Sequence, residues 1–138
     1  MTTKKARNLM ERSYKVLIAE DHDIQRRMLV DFCTRANWSV VSSVSSGQQM
    51  ISEYLIHRPD LILVDVHLDK SDGISSIRLL HEQGHQPFVI FVTGSLDPDQ
   101  SKLSAEINLV DFITKPYDLA DIEKALHKVA VKIEGTAK

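Results

Sequence analysis

The stretch DLILVDVHLD, residues 60–69, places four apolar residues in a row directly before an aspartate, Asp65. An apolar run of this length is typical of a strand that is covered on both faces of a parallel sheet. A carboxylate at the end of such a strand is costly to bury unless a cation or hydrogen bonds compensate its charge. A second acidic pair, Glu20 and Asp21 in VLIAEDHD, follows another apolar run in the same way. The sequence therefore indicates acidic groups at the ends of two buried strands.

Five short apolar runs recur along the chain. They are KVLIA at 15–19, SVVSSV at 39–44, LILVD at 61–65, FVIFV at 88–92 and VDFIT at 110–114. The second run is the most polar, which is typical of an edge strand. Strict alternation of these runs with helical segments predicts a single α/β domain, with a parallel sheet and helices on both faces. In such a sheet, sites form at the carboxyl ends of the strands.

Segments with apolar residues at helical spacing lie between and after the strands. The predicted buried faces are Ile24, Met28, Leu29, Phe32 and Ala36 in the first helix, Met50, Ile51, Tyr54 and Leu55 in the second, Ile74, Ile77 and Leu80 in the third, and Leu119, Ile122, Leu126, Val129 and Ile133 in the last. Asp118 suits the N-cap of the last helix, and Gly135 suits its end. A fourth helix within residues 97–108 has only two clearly apolar residues. We expect it to be short or mobile.

The composition is that of an ordinary globular domain, since 43% of the 138 residues are apolar, 26% are charged and the formal net charge is −2. This charge gives no basis for direct binding of nucleic acid, and no apolar stretch approaches the about 20 residues of a membrane span. Cys33 is the only cysteine, so we expect a small core residue in a cytoplasmic protein. We expect residues 1–13 to be a flexible tail, 14–135 the folded domain and 136–138 a second tail.

Polar groups follow four of the five predicted strands. Glu20 and Asp21 follow the first, Asp65 ends the third, Thr93 follows the fourth and Lys115 follows the fifth. Singly, each has an ordinary explanation as a cap, a turn residue or a solvated charge. Jointly, at one edge of a sheet, they favour a functional site. Three carboxylates there repel one another unless a cation neutralises them, and a hard divalent ion such as Mg²⁺ suits carboxylate oxygens.

The ordered set EDHD, LVDVHLDKSDG, VTG and DFITKP resembles the receiver domain of two-component response regulators, with the chemotaxis-type single receiver domain as the nearest architecture. The resemblance covers about residues 14–134. It implies a flavodoxin-like (βα)5 fold whose five-stranded parallel sheet has the strand order 2-1-3-4-5. It also implies phosphorelay signalling, in which a sensor histidine kinase or a histidine phosphotransfer protein donates a phosphoryl group.

The resemblance implies that Asp65 is the phosphoacceptor. Asp21, Asp65 and the backbone carbonyl of His67 would bind Mg²⁺, with Mn²⁺ as an alternative, and Glu20 would hold a metal-bound water. The domain would be a signalling switch rather than an enzyme, although self-phosphorylation from small phosphodonors and autodephosphorylation are expected of it.

The resemblance also implies how the other site residues act. Thr93 and Lys115 would contact the phosphoryl group, and the Lys115–Pro116 peptide bond would be cis. Thr93 and Phe112 would move together on phosphorylation and change the surface formed by the fourth helix, fifth strand and fifth helix (α4-β5-α5 in the family). That surface would bind a downstream protein partner or form a homodimer, unless an output domain has been removed from the chain.

Two positions differ from the common family pattern, and two others lie where the family varies the lifetime of the phosphate. Asn108 and Leu109 replace the usual Gly-Ala pair, and we expect the bulk of Leu109 to crowd the switch threonine. His67 and Ser95 occupy positions that modulate the lifetime of the phosphate, although a plain surface histidine is an equal interpretation of His67. The remaining histidines have no metal-ligand spacing and are expected to be solvated: His22, His57, His81, His85 and His127.

Rival functions remain open from sequence alone. A phosphatase of the haloacid dehalogenase type also uses an aspartate nucleophile and Mg²⁺, but it needs a second aspartate where this chain has His67. A nucleotide-binding fold is disfavoured because the chain has no glycine-rich phosphate loop. A scaffold that keeps the fold without being phosphorylated would normally lack an acid or the lysine, and here all are present.

Overall fold

The computed structural model describes residues 13–68, 71–94 and 106–136, and elements are numbered here in chain order over these residues. The helices are α1 Asp23–Arg35, α2 Gly47–His57, α3 Gly73–Glu82 and α4 Leu119–Thr136. The strands of the main sheet are β1 Lys15–Ala19, β2 Ser39–Val44, β3 Leu61–Asp65, β6 Phe88–Thr93 and β7 Leu109–Thr114. Two short strands, β4 His67–Leu68 and β5 Ser71–Asp72, form an antiparallel hairpin that the sequence did not predict.

The main sheet is parallel, with the order β2-β1-β3-β6-β7. When only the five strands of this sheet are counted along the chain, the order is the predicted 2-1-3-4-5, so the predicted fold class is confirmed. β3 is central and every one of its residues is buried, which explains its continuous apolar run. The polar second run forms the edge strand β2, as expected.

Two hydrophobic layers cover the sheet. One lies under α1 and α4 and includes Leu29, Cys33 and Val129, so the expected core position of Cys33 is confirmed. The other lies under α2 and α3 and includes Met50 and Ile77. Because helices cover both faces, the carboxyl ends of the strands are where sites typically form in such a sheet.

Some of the predicted helix details are wrong. Ile24 and Met28 are 74% and 40% exposed, because the buried stripe of α1 runs through Leu29 and Cys33 instead. Leu55 is also exposed. Gly135 does not end the last helix, since α4 continues to Thr136.

Other details of the helices agree or fall outside the description. Asp118 caps α4 as predicted, because its carboxylate accepts a hydrogen bond from the backbone N–H of Asp121 at 2.9 Å. Most of the predicted fourth helix lies outside the described residues. No helix within the described ranges has the length and apolar character needed to cross a membrane.

The start of β1 and the end of α4 lie together. The hydroxyl of Tyr14 donates a hydrogen bond to Glu134 at 2.5 Å, and the Tyr14 ring packs on Trp38 with 5.2 Å between ring centroids. Tyr14 precedes β1 directly, so this contact lies at the amino end of the sheet.

Candidate functional site

Asp65 lies at the carboxyl end of the central strand β3, where it is only 4% exposed. Its two carboxylate oxygens have different partners. Oδ1 accepts a hydrogen bond from the backbone N–H of His67 at 2.9 Å, and Oδ2 accepts one from the Lys115 ammonium at 2.7 Å. One oxygen is thus held by the backbone and the other by a charged side chain.

Gly73 allows the backbone to pack closely behind Asp65. A Cβ atom at position 73 would lie 2.3 Å from the carbonyl oxygen of Asp65 and 3.0 Å from a methyl group of Val64. The glycine N–H also donates to the carbonyl of Val66 at 2.9 Å. The first turn of α3 therefore supports the strand end that carries the carboxylate, and only glycine leaves room for it.

Lys115 directly follows β7, and its peptide bond to Pro116 is cis. Its backbone N–H donates to the carbonyl of Thr93 at 2.8 Å. Its ammonium bridges Asp65 and Glu20, with a distance of 3.2 Å to Glu20 Oε1. Burial works against the charged form, but the hydrogen bond and charge of Asp65 outweigh it and raise the pKa of Lys115, with a further contribution from Glu20.

Glu20 follows β1, and its side chain has no solvent exposure. Burial and the nearby charge of Asp65 raise the pKa of Glu20 from 4.5 to about 7. Burial also acts on the neighbouring Asp21, but hydrogen bonds with Glu20 and His22 lower its pKa. Two buried carboxylates that share one ammonium therefore retain excess negative charge, which is the chemistry that a divalent cation satisfies.

Arg26 holds the loop that carries these acids, a role that the sequence analysis missed. Its guanidinium donates to the backbone carbonyl of Glu20 at 2.9 Å and to the carboxylate of Asp23 at 2.6 Å. Because the Glu20 carbonyl is satisfied in this way, the β1–α1 loop has a fixed course. An arginine on the first turn of the helix after an acidic pair is the signal that could have indicated this contact.

His22 lies beside the acids, contrary to the expectation that it has no relation to a metal site. Its ring is solvated as expected, being 67% exposed, but Nδ1 lies 3.4 Å from Asp21 Oδ1 and 4.0 Å from Glu20 Oε2. One ligand atom from each of Glu20, Asp21 and His22 lies within 4.8 Å of the other two. The donor set fits a divalent cation.

Two further predicted residues lie near this edge. Thr93 is 2% exposed at the end of β6 and pairs with Thr114 across the sheet. Phe112 is half-buried on β7, and its ring stacks on Phe91 with 5.6 Å between centroids. Ser95 lies outside the described residues.

His67 is exposed and belongs to the hairpin beside Asp65, so it borders the site. Leu109 does not, which corrects the expectation that it crowds Thr93. The strand register pairs Leu109 with Val89, four residues before Thr93. At about 3.3 Å per residue, the two are separated by roughly 13 Å along the sheet.

Asn108 does not adopt a left-handed conformation, since among the described residues only Asn37 and Arg58 combine a side chain with positive φ. Its side-chain amide instead donates to the carbonyl of Gln86 at 3.0 Å. The replacement of the Gly-Ala pair thus changes the amino end of β7, away from the acids.

The sequence matches the model of the response regulator receiver domain over residues 16–127. It is 24% identical over 116 residues to the chemotaxis protein CheY of Bacillus subtilis, with 84% of this chain and 97% of that protein covered. It is 27% identical over 125 residues to a protein-glutamate methylesterase/protein-glutamine glutaminase of Archaeoglobus fulgidus, with 89% of this chain but 36% of that protein covered. The chain thus spans about a third of that relative's length.

The fold is also similar to solved structures. The receiver domain of AraT, a response regulator from Geobacillus stearothermophilus, has a TM-score of 0.80 and 26% sequence identity. The similarity covers 92% of this chain and 100% of that domain.

Proposed function

The chain belongs to the family of response regulator receiver domains, and from this premise we propose that Asp65 accepts the phosphoryl group by which it takes part in two-component signalling. One observation carries this assignment. The Asp65 carboxylate lies at the end of the central strand, with one oxygen on a fixed backbone N–H and the other 2.7 Å from an ammonium. This arrangement orients a nucleophile and supplies positive charge beside it.

The proposed donor is a phosphohistidine of a sensor histidine kinase or of a histidine phosphotransfer protein. An oxygen of Asp65 attacks phosphorus, the P–O bond forms as the P–N bond breaks, and the electron pair of that bond stays on the imidazole nitrogen. The product is an acyl phosphate. Phosphoryl transfer of this kind needs alignment and charge neutralisation more than covalent work. Lys115 can leave Asp65 Oδ2 and follow the charge to a phosphoryl oxygen.

A divalent cation, Mg²⁺ or alternatively Mn²⁺, would be held by Asp21, Asp65 and the backbone carbonyl of His67, with Glu20 holding a bound water. When bound, it supplies neutralisation of the charge on the transferring group. The raised pKa of Glu20 supports this assignment, because its burial and the nearby charge of Asp65 make the ionised form costly without a further cation.

Phosphorylation adds roughly −1.5 to −2 of charge at pH 7, and we propose that this charge shifts the domain between two packings. Thr93 would turn its hydroxyl toward the phosphoryl group, and Phe112 would move into the vacated space. The changed surface would then bind a downstream protein partner or a second copy of the chain. The proposed surface consists of β7, α4 and the helix predicted within residues 97–108.

The phosphate is also proposed to turn over without a partner. Small phosphodonors would load Asp65, and water would hydrolyse the acyl phosphate. The exposed side chain of His67, beside the carboxylate, would set part of that rate together with Ser95.

The test is intact mass spectrometry after incubation with acetyl phosphate and Mg²⁺. We expect one added phosphoryl group that is lost in base. Asp65→Asn should abolish it, whereas Asp72→Asn should retain it. Asp72 is a matched control because its exposed carboxylate caps α3, a role that asparagine also fills.

Two outcomes would contradict the proposal. If neither acetyl phosphate nor a histidine kinase labels the wild type, the chain is a scaffold. If it instead hydrolyses an external phosphate ester rapidly, the phosphatase alternative is correct.

A further inference from the structure

We infer that His22 is a specificity-determining ligand of the proposed cation site, and that it adds affinity for divalent first-row transition metals that Mg²⁺ does not gain. This inference rests on the proposed function, because it concerns the same group of acids. It assigns a role to a histidine ring that stabilises no helix end and lies at the rim of the site.

The first observation is the position of the ring relative to α1. His22 is the N-cap residue of α1, where a side chain usually accepts a hydrogen bond from the first turn. The His22 side chain makes no such bond. Its ring lies beside the acids instead, and it is open to solvent on its other side, being 67% exposed.

The second observation is the spacing of the donor atoms. Two ligands that bind one ion with bonds of about 2.1 Å at a tetrahedral angle are about 3.4 Å apart, and they can be no more than about 4.2 Å apart. The distance from His22 Nδ1 to Asp21 Oδ1 is 3.4 Å, and to Glu20 Oε2 it is 4.0 Å. The first separation is that of a hydrogen-bond contact, which an ion bound to both atoms would replace, and the second leaves Glu20 on the same side of that ion.

The third observation is that Glu20 faces two sides. Its Oε1 accepts from the Lys115 ammonium, whereas its Oε2 accepts from the backbone N–H of His22 at 3.3 Å. Oε2 therefore faces the side of the site where Asp21 and His22 lie, and there it can hold the metal-bound water proposed above, while the His22 ring adds a nitrogen ligand beside Asp21. Imidazole nitrogen is a good ligand for Zn²⁺ and Ni²⁺, whereas Mg²⁺ takes oxygen. His22 thus discriminates between the two classes of cation.

The test combines calorimetric titration with Zn²⁺, Ni²⁺ and Mg²⁺ and NMR detection of the histidine ring nitrogens, at one neutral pH. His57→Ala is the matched control, because His57 Nε2 lies 3.0 Å from Glu53 Oε2 elsewhere on the surface. We expect Zn²⁺ to shift the ring nitrogens of His22. His22→Ala should weaken Zn²⁺ and Ni²⁺ binding by about 10-fold or more, since even loss of a ligand's outer partner costs that much. It should leave Mg²⁺ affinity unchanged.

The outcomes separate this inference from the function on which it rests. An unshifted His22 ring, or equal Zn²⁺ affinity in the wild type and His22→Ala, overturns the inference even if Mg²⁺ binds. Loss of Zn²⁺ binding in His57→Ala alone would assign the metal to α2 and also overturn it. Failure of Mg²⁺ to bind, with Zn²⁺ still held through His22, would count against the proposed function and not against this ligand.

Discussion

Replacing Glu20 with glutamine tests whether the ionised form of Glu20, buried beside the charge of Asp65, destabilises the folded protein. The carboxyl group of Glu20 is fully buried, and burial together with the charge of Asp65 raises its pKa from 4.5 to about 7. Between these values the native state holds a proton that the unfolded chain has released, so the free energy of unfolding falls as the pH rises. The stability is fully present below pH 4.5 and is lost above about pH 7.

The size of the effect follows from the shift. At about 1.4 kcal/mol per pH unit, the rise in pKa corresponds to about 3 kcal/mol. Glutamine resembles the protonated acid and cannot ionise. Glu20→Gln should therefore be closest to the wild type below pH 4.5 and exceed its free energy of unfolding by about 3 kcal/mol at pH 8. Mg²⁺ should stabilise the wild type at pH 8 more than the variant, because only the wild type carries the extra negative charge.

Urea unfolding of both proteins from about pH 4 to 8.5 measures the difference directly. Glu82→Gln, which removes an exposed carboxylate at the end of α3, controls for the change in net charge. A difference between Glu20→Gln and the wild type that stays constant over this range would refute the reasoning. A constant difference would mean that Glu20 has the same pKa in the folded and unfolded states and titrates as an ordinary acid.

Two further predictions concern packing and are measured by urea unfolding. Gly73→Ala should destabilise the protein by about 1–3 kcal/mol and slow labelling of Asp65, because the added carbon would lie 2.3 Å from a backbone oxygen. The control Gly135→Ala, which has open space around the new carbon, should be neutral or stabilising. Equal effects of the two substitutions would contradict this prediction. Among the described residues, the buried Tyr117 hydroxyl has no hydrogen-bond partner, so Tyr117→Phe should stabilise the protein by about 1 kcal/mol. Tyr14→Phe should destabilise it by a similar amount, because it removes the hydrogen bond to Glu134. The opposite order would show that the Tyr117 hydroxyl has a partner.

The sheet could be predicted from sequence because strands buried on both faces have continuous apolar runs. β3 is buried at every position, and its apolar run ends at Asp65, where the strand leaves the core. The edge containing the site followed from the alternation of strands and helices, since parallel strands bring their carboxyl ends to one edge. The proximity of Glu20, Asp65 and Lys115 thus followed from topology alone.

The packing of α1 could not be predicted in the same way. Ile24 and Met28 are four residues apart, as are Leu29 and Cys33, so the sequence contains two adjacent apolar stripes. Periodicity cannot choose between them, because the choice depends on how the helix is rotated against the sheet.

The positions of His22 and Leu109 depend on geometry that spacing does not encode. The His22 ring reaches the acids only because its side chain does not cap α1. The place of Leu109 depends on the β6–β7 register, which also contains an irregularity between Val89 and Ile90. Only coordinates reveal that Leu109 and Thr93 lie at opposite ends of the strand pair.

The hydrogen bond between Tyr14 and Glu134 has a practical consequence for how the domain can be handled. It places the start of β1 and the last turn of α4 at the same edge of the sheet, with the five residues of β1 between that edge and Glu20. At about 3.3 Å per residue, this separation is about 17 Å. A dye or surface tether joined next to either residue would therefore leave the Asp65 edge facing solution, so that labelling and metal titration can be followed on immobilised protein.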